Sequence, residues 1–257
     1  RAVLFVGLNP LVLVWGLGGD HNDFILVFFV MLAVYLLLDA RARRPAAAPG
    51  LRGPGREVGA GFLLMAAVAV KASAGMLLPI VLLGAPRRLR LFAGMAIGAV
   101  VLGGASLYAF GAHVPNLAQQ STLITLVGLP NVVGYLLGYG GVTDTMKVIL
   151  DAILAGSVVA AAVWAARTRD WIVPAGYATV ALLLTLTWEL PWYVLWLLPF
   201  AALARGRALR VAALLISLYL MLAWMPLMTD LIHSIGYKPS LTLLGKIRQV
   251  KTLTLLH

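Results

Sequence analysis

The sequence predicts an all-α fold, a polytopic transmembrane helical bundle with a short re-entrant helix pair. Three observations predict it. The 257 residues are 62% hydrophobic and only 11% charged, whereas soluble domains run at about half apolar and about a quarter charged. Apolar runs recur along the chain at 2–17, 24–38, 57–85, 91–112, 147–166, 171–187, 190–204 and 208–226, against the roughly 20 residues a helix needs to cross a bilayer. Arginines cluster between these runs, at Arg41/Arg43/Arg44/Arg52/Arg56, Arg87/Arg88/Arg90, Arg167/Arg169 and Arg205/Arg207/Arg210.

The net charge of +11 sits in the connections of an apolar chain. It therefore reads as cytoplasmic loop charge, and a nucleic-acid partner is excluded. The chain has no cysteine, which rules out a disulfide framework and a thiolate metal site.

Taken in order, the first run is interrupted by Asn9-Pro10 and lacks a small-residue cleavage site, so it does not read as a signal peptide. The chain starts at Arg1 rather than methionine, and the expectation is a single transmembrane domain over 1–257, the C-terminal part of a longer protein. The second run follows Gly18-Gly19-Asp20-His21-Asn22-Asp23. Asn22 or Asp23 can cap the helix that begins there. Capping accounts for one polar residue, not four, and ionisable groups at a membrane edge are functional candidates. The proline- and glycine-rich stretch 43–56 reads as a cytoplasmic linker.

The third run, 57–85, has basic clusters at both ends but is too short for two full crossings. It reads as a re-entrant pair with its tip near Lys71, where small residues and Gly75 allow a bend. The remaining runs then make return trips that keep every arginine cluster inside. Asp20, His21, Asp23, the 113–146 loop, Glu189 and Asp230 collect outside. That long loop carries spaced apolar residues, which predicts extracytoplasmic interfacial helices forming a lid or groove. Just beyond it, Lys147 and Asp151 are spaced as a helix-surface ion pair.

The chemistry-bearing residues are few. His21 and Asp23 are the catalytic candidates, since a carboxylate beside an imidazole can take a proton or hold a sugar hydroxyl; Asn22 accompanies them. Their spacing is a weak metal signal. No metal ligand is assigned and no cofactor is required, with a divalent cation left open. Lys71, inside an apolar run, calls for an anion, and a lipid phosphate is the natural one; a structural counter-carboxylate is the alternative. Glu189, Trp192 and Tyr193 in "TWELPWYVLW" combine aromatic faces with a carboxylate, which suits sugar rings. Trp196 reads as part of a headgroup-level aromatic belt.

At these residues the sequence resembles a known family. "LNPLVLVWGLGGDHNDFILV", "VKASAGMLLPIVLL" and "LPWYVLWLLPFAAL" are similar to segments of multi-pass bacterial glycosyltransferases that use polyprenyl-phosphate sugars, closest to the actinobacterial alpha-1,6-mannosyltransferases. The resemblance implies a C-type glycosyltransferase fold in the bacterial plasma membrane. It implies a polyprenyl-phosphate mannose donor and a glycan or glycolipid acceptor of the cell envelope, joined at the outer face with inversion at the donor. The glycine-glycine-x-histidine-asparagine-aspartate pattern carries over to Gly18, Gly19, His21, Asn22 and Asp23. The family's acidic catalytic residue lies in an earlier outer loop, which this sequence is expected to lack. A lipid-linked-sugar flippase or other secondary transporter is the competing reading, although no internal repeat supports it.

Overall fold

The computed structural model describes residues 2–19, 21–41, 55–112, 123–225, 228–238, 241, 242, 245 and 246. Asp20, the linker residues 42–54 and the first part of the long loop, 113–122, lie outside the described residues. The described residues form helices and turns without strands. They are α1 (Ala2–Gly7), a π turn (Val12–Gly16), α2 (Asp23–Arg41), α3 (Gly55–Val70), a 3-10 turn (Ala72–Met76), α4 (Leu77–Gly84), α5 (Arg88–Phe110), α6 (Leu129–Leu136), α7 (Asp144–Thr168), α8 (Ile172–Thr185), a 3-10 segment (Pro191–Trp196), α9 (Leu198–Leu203), α10 (Arg207–Ala223) and α11 (Met228–Ser234).

The run 2–17 is not one helix. Asn9-Pro10 divides it, because proline cannot donate to a continuing helix. The Asn9 side chain satisfies the break: its Oδ1 accepts the Leu11 N–H at 3.0 Å, and its Nδ2 donates to the Ser217 hydroxyl of α10 at 2.9 Å. Likewise the run 190–204 splits at Leu197-Leu198-Pro199 into the 3-10 segment and α9.

The run 57–85 reverses direction at Lys71, whose backbone is extended at φ −155° and ψ 120°. The bend falls at the lysine itself rather than at Gly75. Glycine contacts show the geometry. A Cβ at Gly94 of α5 would strike the backbone of Val58, and one at Gly98 would strike Met65 and Phe62. The contact advances in the same sense along both helices, so α3 and α5 are parallel and the chain between them must run back. Residues Gly55–Val70 rise about 24 Å, and the 3-10 turn with α4 returns about 22 Å. Glu57, buried at the start of α3, accepts from Arg87 Nη1 at 2.9 Å and closes the base of this reversal.

The arginine clusters among the described residues gather at that base. Arg87, Arg88, Arg90 and Arg169 line one surface groove. Gly176, one turn into α8, packs against Leu209, one turn into α10, which places Arg205, Arg207 and Arg210 at the same end. Leu36, late in α2, lies beside Gly59, early in α3. Asp23, the first residue of α2, is therefore at the far end with Lys71.

The centre of the bundle is the segment 191–203. The 3-10 segment touches α2, the π turn, α8, α9 and α10, and Val194, Leu197, Leu198, Phe200 and Ala201 are buried. By contrast α5 and α7 are peripheral. At 23 and 25 residues they are long and apolar enough to cross a bilayer, and Phe92, Ile97, Val100, Ile149, Ile153 and Val159 face outward from them. On α7, Lys147 pairs with Asp144 at 3.7 Å and not with Asp151, the partner that the i,i+4 spacing predicts; Asp144 is one residue closer and fully exposed on the first turn.

Candidate active site

Two elements meet at the end opposite the arginines: the first turn of α2 and the tip of the α3–α4 reversal. Asp23 is 2% exposed, and its Oδ1 accepts from Lys71 Nζ at 2.9 Å and from the indole Nε1–H of Trp196 at 2.8 Å. Its carboxylate is therefore committed to tertiary partners and does not cap its own helix. Lys71 Nζ also lies over two aromatic faces, 4.3 Å from the Tyr193 centroid and 4.7 Å from that of Trp196. Such faces attract a cation through the ring quadrupole. A partly buried ammonium is costly unless compensated, and here one carboxylate and two rings compensate it.

The Lys71 side chain remains 26% exposed. Next to it, His21 stacks on Trp192 with centroids 3.7 Å apart and planes 15° from parallel. Trp192 meets Tyr193 edge-on, and Tyr193 stacks on Trp196 at 4.7 Å. A continuous wall thus runs from His21 through Trp192 and Tyr193 to Trp196, with the Asp23–Lys71 pair at its inner end. Chemically it offers an ammonium with three donors, the part-exposed Trp192 ring, which suits an apolar sugar face or prenyl carbons, and a half-buried imidazole, while Tyr193 and Trp196 are buried behind them. Asn22 is exposed at the rim, its carbonyl accepting the Leu26 N–H.

Glu189 does not join this cluster through any contact of its carboxylate. It is buried, and Thr125 clamps its backbone: the Thr125 hydroxyl donates to the Glu189 carbonyl and accepts from the Glu189 N–H, both at 2.9 Å. The carboxylate receives the Leu129 N–H at the start of α6, one of the amides that a helix leaves unpaired. Its Oε2 is buried without a hydrogen-bond partner. Burial pushes its pKa up to about 7, partly opposed by the Leu129 hydrogen bond. Through Thr125, Glu189 ties the described part of the long loop, 123–146, to the bundle.

Of the sequence-predicted site residues, His21, Asp23, Lys71, Trp192 and Tyr193 come together, Asn22 stands at their edge, and Glu189 faces another set of neighbours. Trp196 is a correction. It was expected in an aromatic belt, yet it is buried and bonded to Asp23. Its i,i+3 spacing from Tyr193 in a 3-10 segment was the available signal, because that spacing eclipses side chains. Among the described residues no group of three His, Asp or Glu side chains gathers as a metal site.

Residues 1–87 match the model for the N-terminal domain of alpha-(1->6)-mannopyranosyltransferases, and residues 121–245 match the MptB C-terminal domain. No curated protein and no solved structure matches the chain. The two family matches define a glycosyltransferase of the mannose-transferring class, and within it α5 and α7 are long and apolar enough to cross a membrane. The matches follow one another in order and cover most of the sequence: the chain belongs to the alpha-(1->6)-mannopyranosyltransferase family.

Proposed function

We propose that this protein is a multi-pass enzyme of the bacterial plasma membrane that moves mannose from a polyprenyl-phosphate donor to a glycan or glycolipid acceptor of the cell envelope. Transfer takes place at the outer face and inverts the configuration at the donor. The observation that carries this reading is Lys71: an ammonium held by Asp23 and two ring faces, on a side chain that stays partly exposed, at the end of the bundle opposite the arginines. With the arginine end cytoplasmic, that ammonium lies at the outer side, where a lipid phosphate would reach it. The α3–α4 reversal then acts as the re-entrant pair that delivers it.

In this mechanism Lys71 neutralises the phosphate as it departs, and Trp192, backed by the buried Tyr193, walls the sugar and the first prenyl unit. Asp23 aims Lys71, and His21, half-buried and stacked on Trp192, takes the acceptor proton. The described part of the long loop, pinned by Thr125 and Glu189, borders the acceptor side.

The test is transfer of radiolabelled mannose from polyprenyl-phosphate mannose to a mannoside by the purified full-length protein, with and without EDTA to read any divalent-cation requirement. Lys71→Met keeps the side chain's length. It should raise the apparent donor KM at least tenfold and leave the acceptor KM unchanged, with Lys71→Arg between the two. Donor affinity unchanged in Lys71→Met would make the lysine a structural counter-ion only.

A further inference from the structure

The groove at the opposite end is not used by the proposed transfer. It is lined by Pro86, Arg87, Arg88, Leu89, Arg90 and Arg169, with about 790 Å³ of open space. The chain assembles it from two separate connections, α4–α5 and α7–α8. Glu57 occupies Arg87. Arg88 donates one guanidinium N–H to the Leu83 carbonyl, while its Nε is buried with no hydrogen-bond partner. Arg90 is exposed. Arg169 ends α7 in the left-handed conformation, φ 56° and ψ 20°, where glycine is the usual residue. It is the only non-glycine residue with positive φ among those described. A strained backbone that retains an arginine is a pointer to function.

We propose that this groove binds the phosphodiester headgroup of an anionic phospholipid. Loop arginines would serve membrane orientation wherever they pointed; orientation does not require two loops to converge on one concavity. Guanidinium forks match phosphate oxygens two at a time. Apolar surroundings favour a lipid over free phosphate. Leu89, which lines the groove, is 85% exposed, and Phe92 is exposed one turn further along α5. Trp164 and Tyr177 pair at 5.8 Å on α7 and α8, about one turn from the loop that carries Arg169. Tryptophan and tyrosine mark the headgroup level. Acyl chains would therefore lie along α5 and α7 with the phosphate between the guanidinium groups.

The inference rests on the membrane orientation proposed above but not on the transfer reaction, so lipid binding and mannosyl transfer are measured separately. Full-length protein in neutral detergent is titrated with phosphatidylglycerol or phosphatidylcholine and read by native mass spectrometry. The unmodified protein should hold one phosphatidylglycerol and no phosphatidylcholine. Arg90→Gln with Arg169→Gly, the second a residue that this backbone favours, should lower occupancy at least tenfold at an unchanged thermal midpoint. Arg90→Lys with Arg169→Lys keeps the orientation charge but loses the forks, and should fall in between. Equal binding of the two lipids, or phosphatidylglycerol binding unchanged in either double variant, would overturn the proposal. So would displacement of the lipid by millimolar inorganic phosphate, which would assign the groove to the free anion.

Discussion

Asp23 and Lys71, 48 residues apart in the chain, meet at 2.9 Å between Oδ1 and Nζ, and the indole of Trp196 donates to the same carboxylate oxygen. Each member of this trio lies at the end of a different segment: the start of α2, the reversal after α3 and the end of the 3-10 segment. The pair therefore ties the tip of the reversal to the bundle and presents an ammonium beside an aromatic wall.

Breaking the pair from one side should cost more than removing it altogether. Asp23→Asn leaves the ammonium without its counter-charge, while Lys71→Met leaves the carboxylate with Trp196 alone. Each single change should destabilise the protein by about 1–3 kcal/mol, below the range for fully buried pairs because Lys71 is partly solvated. The double variant should recover at least about 1 kcal/mol relative to the sum. Thermal or denaturant unfolding in detergent gives the cycle, and additive effects would show that the two side chains do not depend on each other.

Trp196→Phe keeps most of the ring stack on Tyr193 but removes the donor to buried Asp23. A loss of about 1–2 kcal/mol follows from the missing hydrogen bond. Activity should fall together with stability, because Lys71 is aimed through Asp23. A variant with normal unfolding and normal transfer would mean that the indole N–H is dispensable.

Glu189 connects pH to stability. Its carboxyl ordinarily titrates near 4.5 and here near 7, so between those values the folded protein keeps a proton that the unfolded chain has released. Stability should then fall as pH rises through this window, by up to about 3 kcal/mol. Glu189→Gln is permanently uncharged and should flatten the dependence. Melting midpoints at pH 5 and pH 7.5, compared between the two proteins, measure it; identical pH dependences would remove Glu189 as the source.

Helices α3 and α5 touch backbone to backbone at Gly94 and Val58. Gly94→Ala forces them apart and should cost about 1–3 kcal/mol as overpacking. Gly103→Ala, on the same helix with open space around it, should be neutral or stabilising by up to about 1 kcal/mol. Similar losses from both variants would show helix propensity rather than close approach at work.

Orientation is tested by single cysteines in the naturally cysteine-free chain. Arg88→Cys and Arg207→Cys should be labelled by an impermeant reagent only after the cells are opened, and Asn22→Cys in intact cells. Labelling at position 88 from outside would invert the reading of the reversal.

Composition alone determined that the chain is helical and apolar, because a polypeptide so poor in charge can satisfy its backbone in lipid only through helices or closed barrels, and the runs are too long for strands. The break in the helix near Lys71 was legible too, since small residues and Gly75 follow it. So was most of the wall, because an imidazole, a lysine and two aromatic residues stand out against an apolar background. The partner of Lys71 was not legible. The carboxylate that meets it comes from a segment far away in sequence, and only the packing of α2 against α3 and the 3-10 segment decided that Asp23 would meet it. The same packing buried Trp196, which by itself looked like a membrane-edge residue. It also sent Glu189 away from Trp192 although only two residues separate them, because the extended stretch before Pro191 turns successive side chains to opposite sides. Periodicity reports which residues are apolar along one segment; which polar groups finally pair depends on how the segments are stacked.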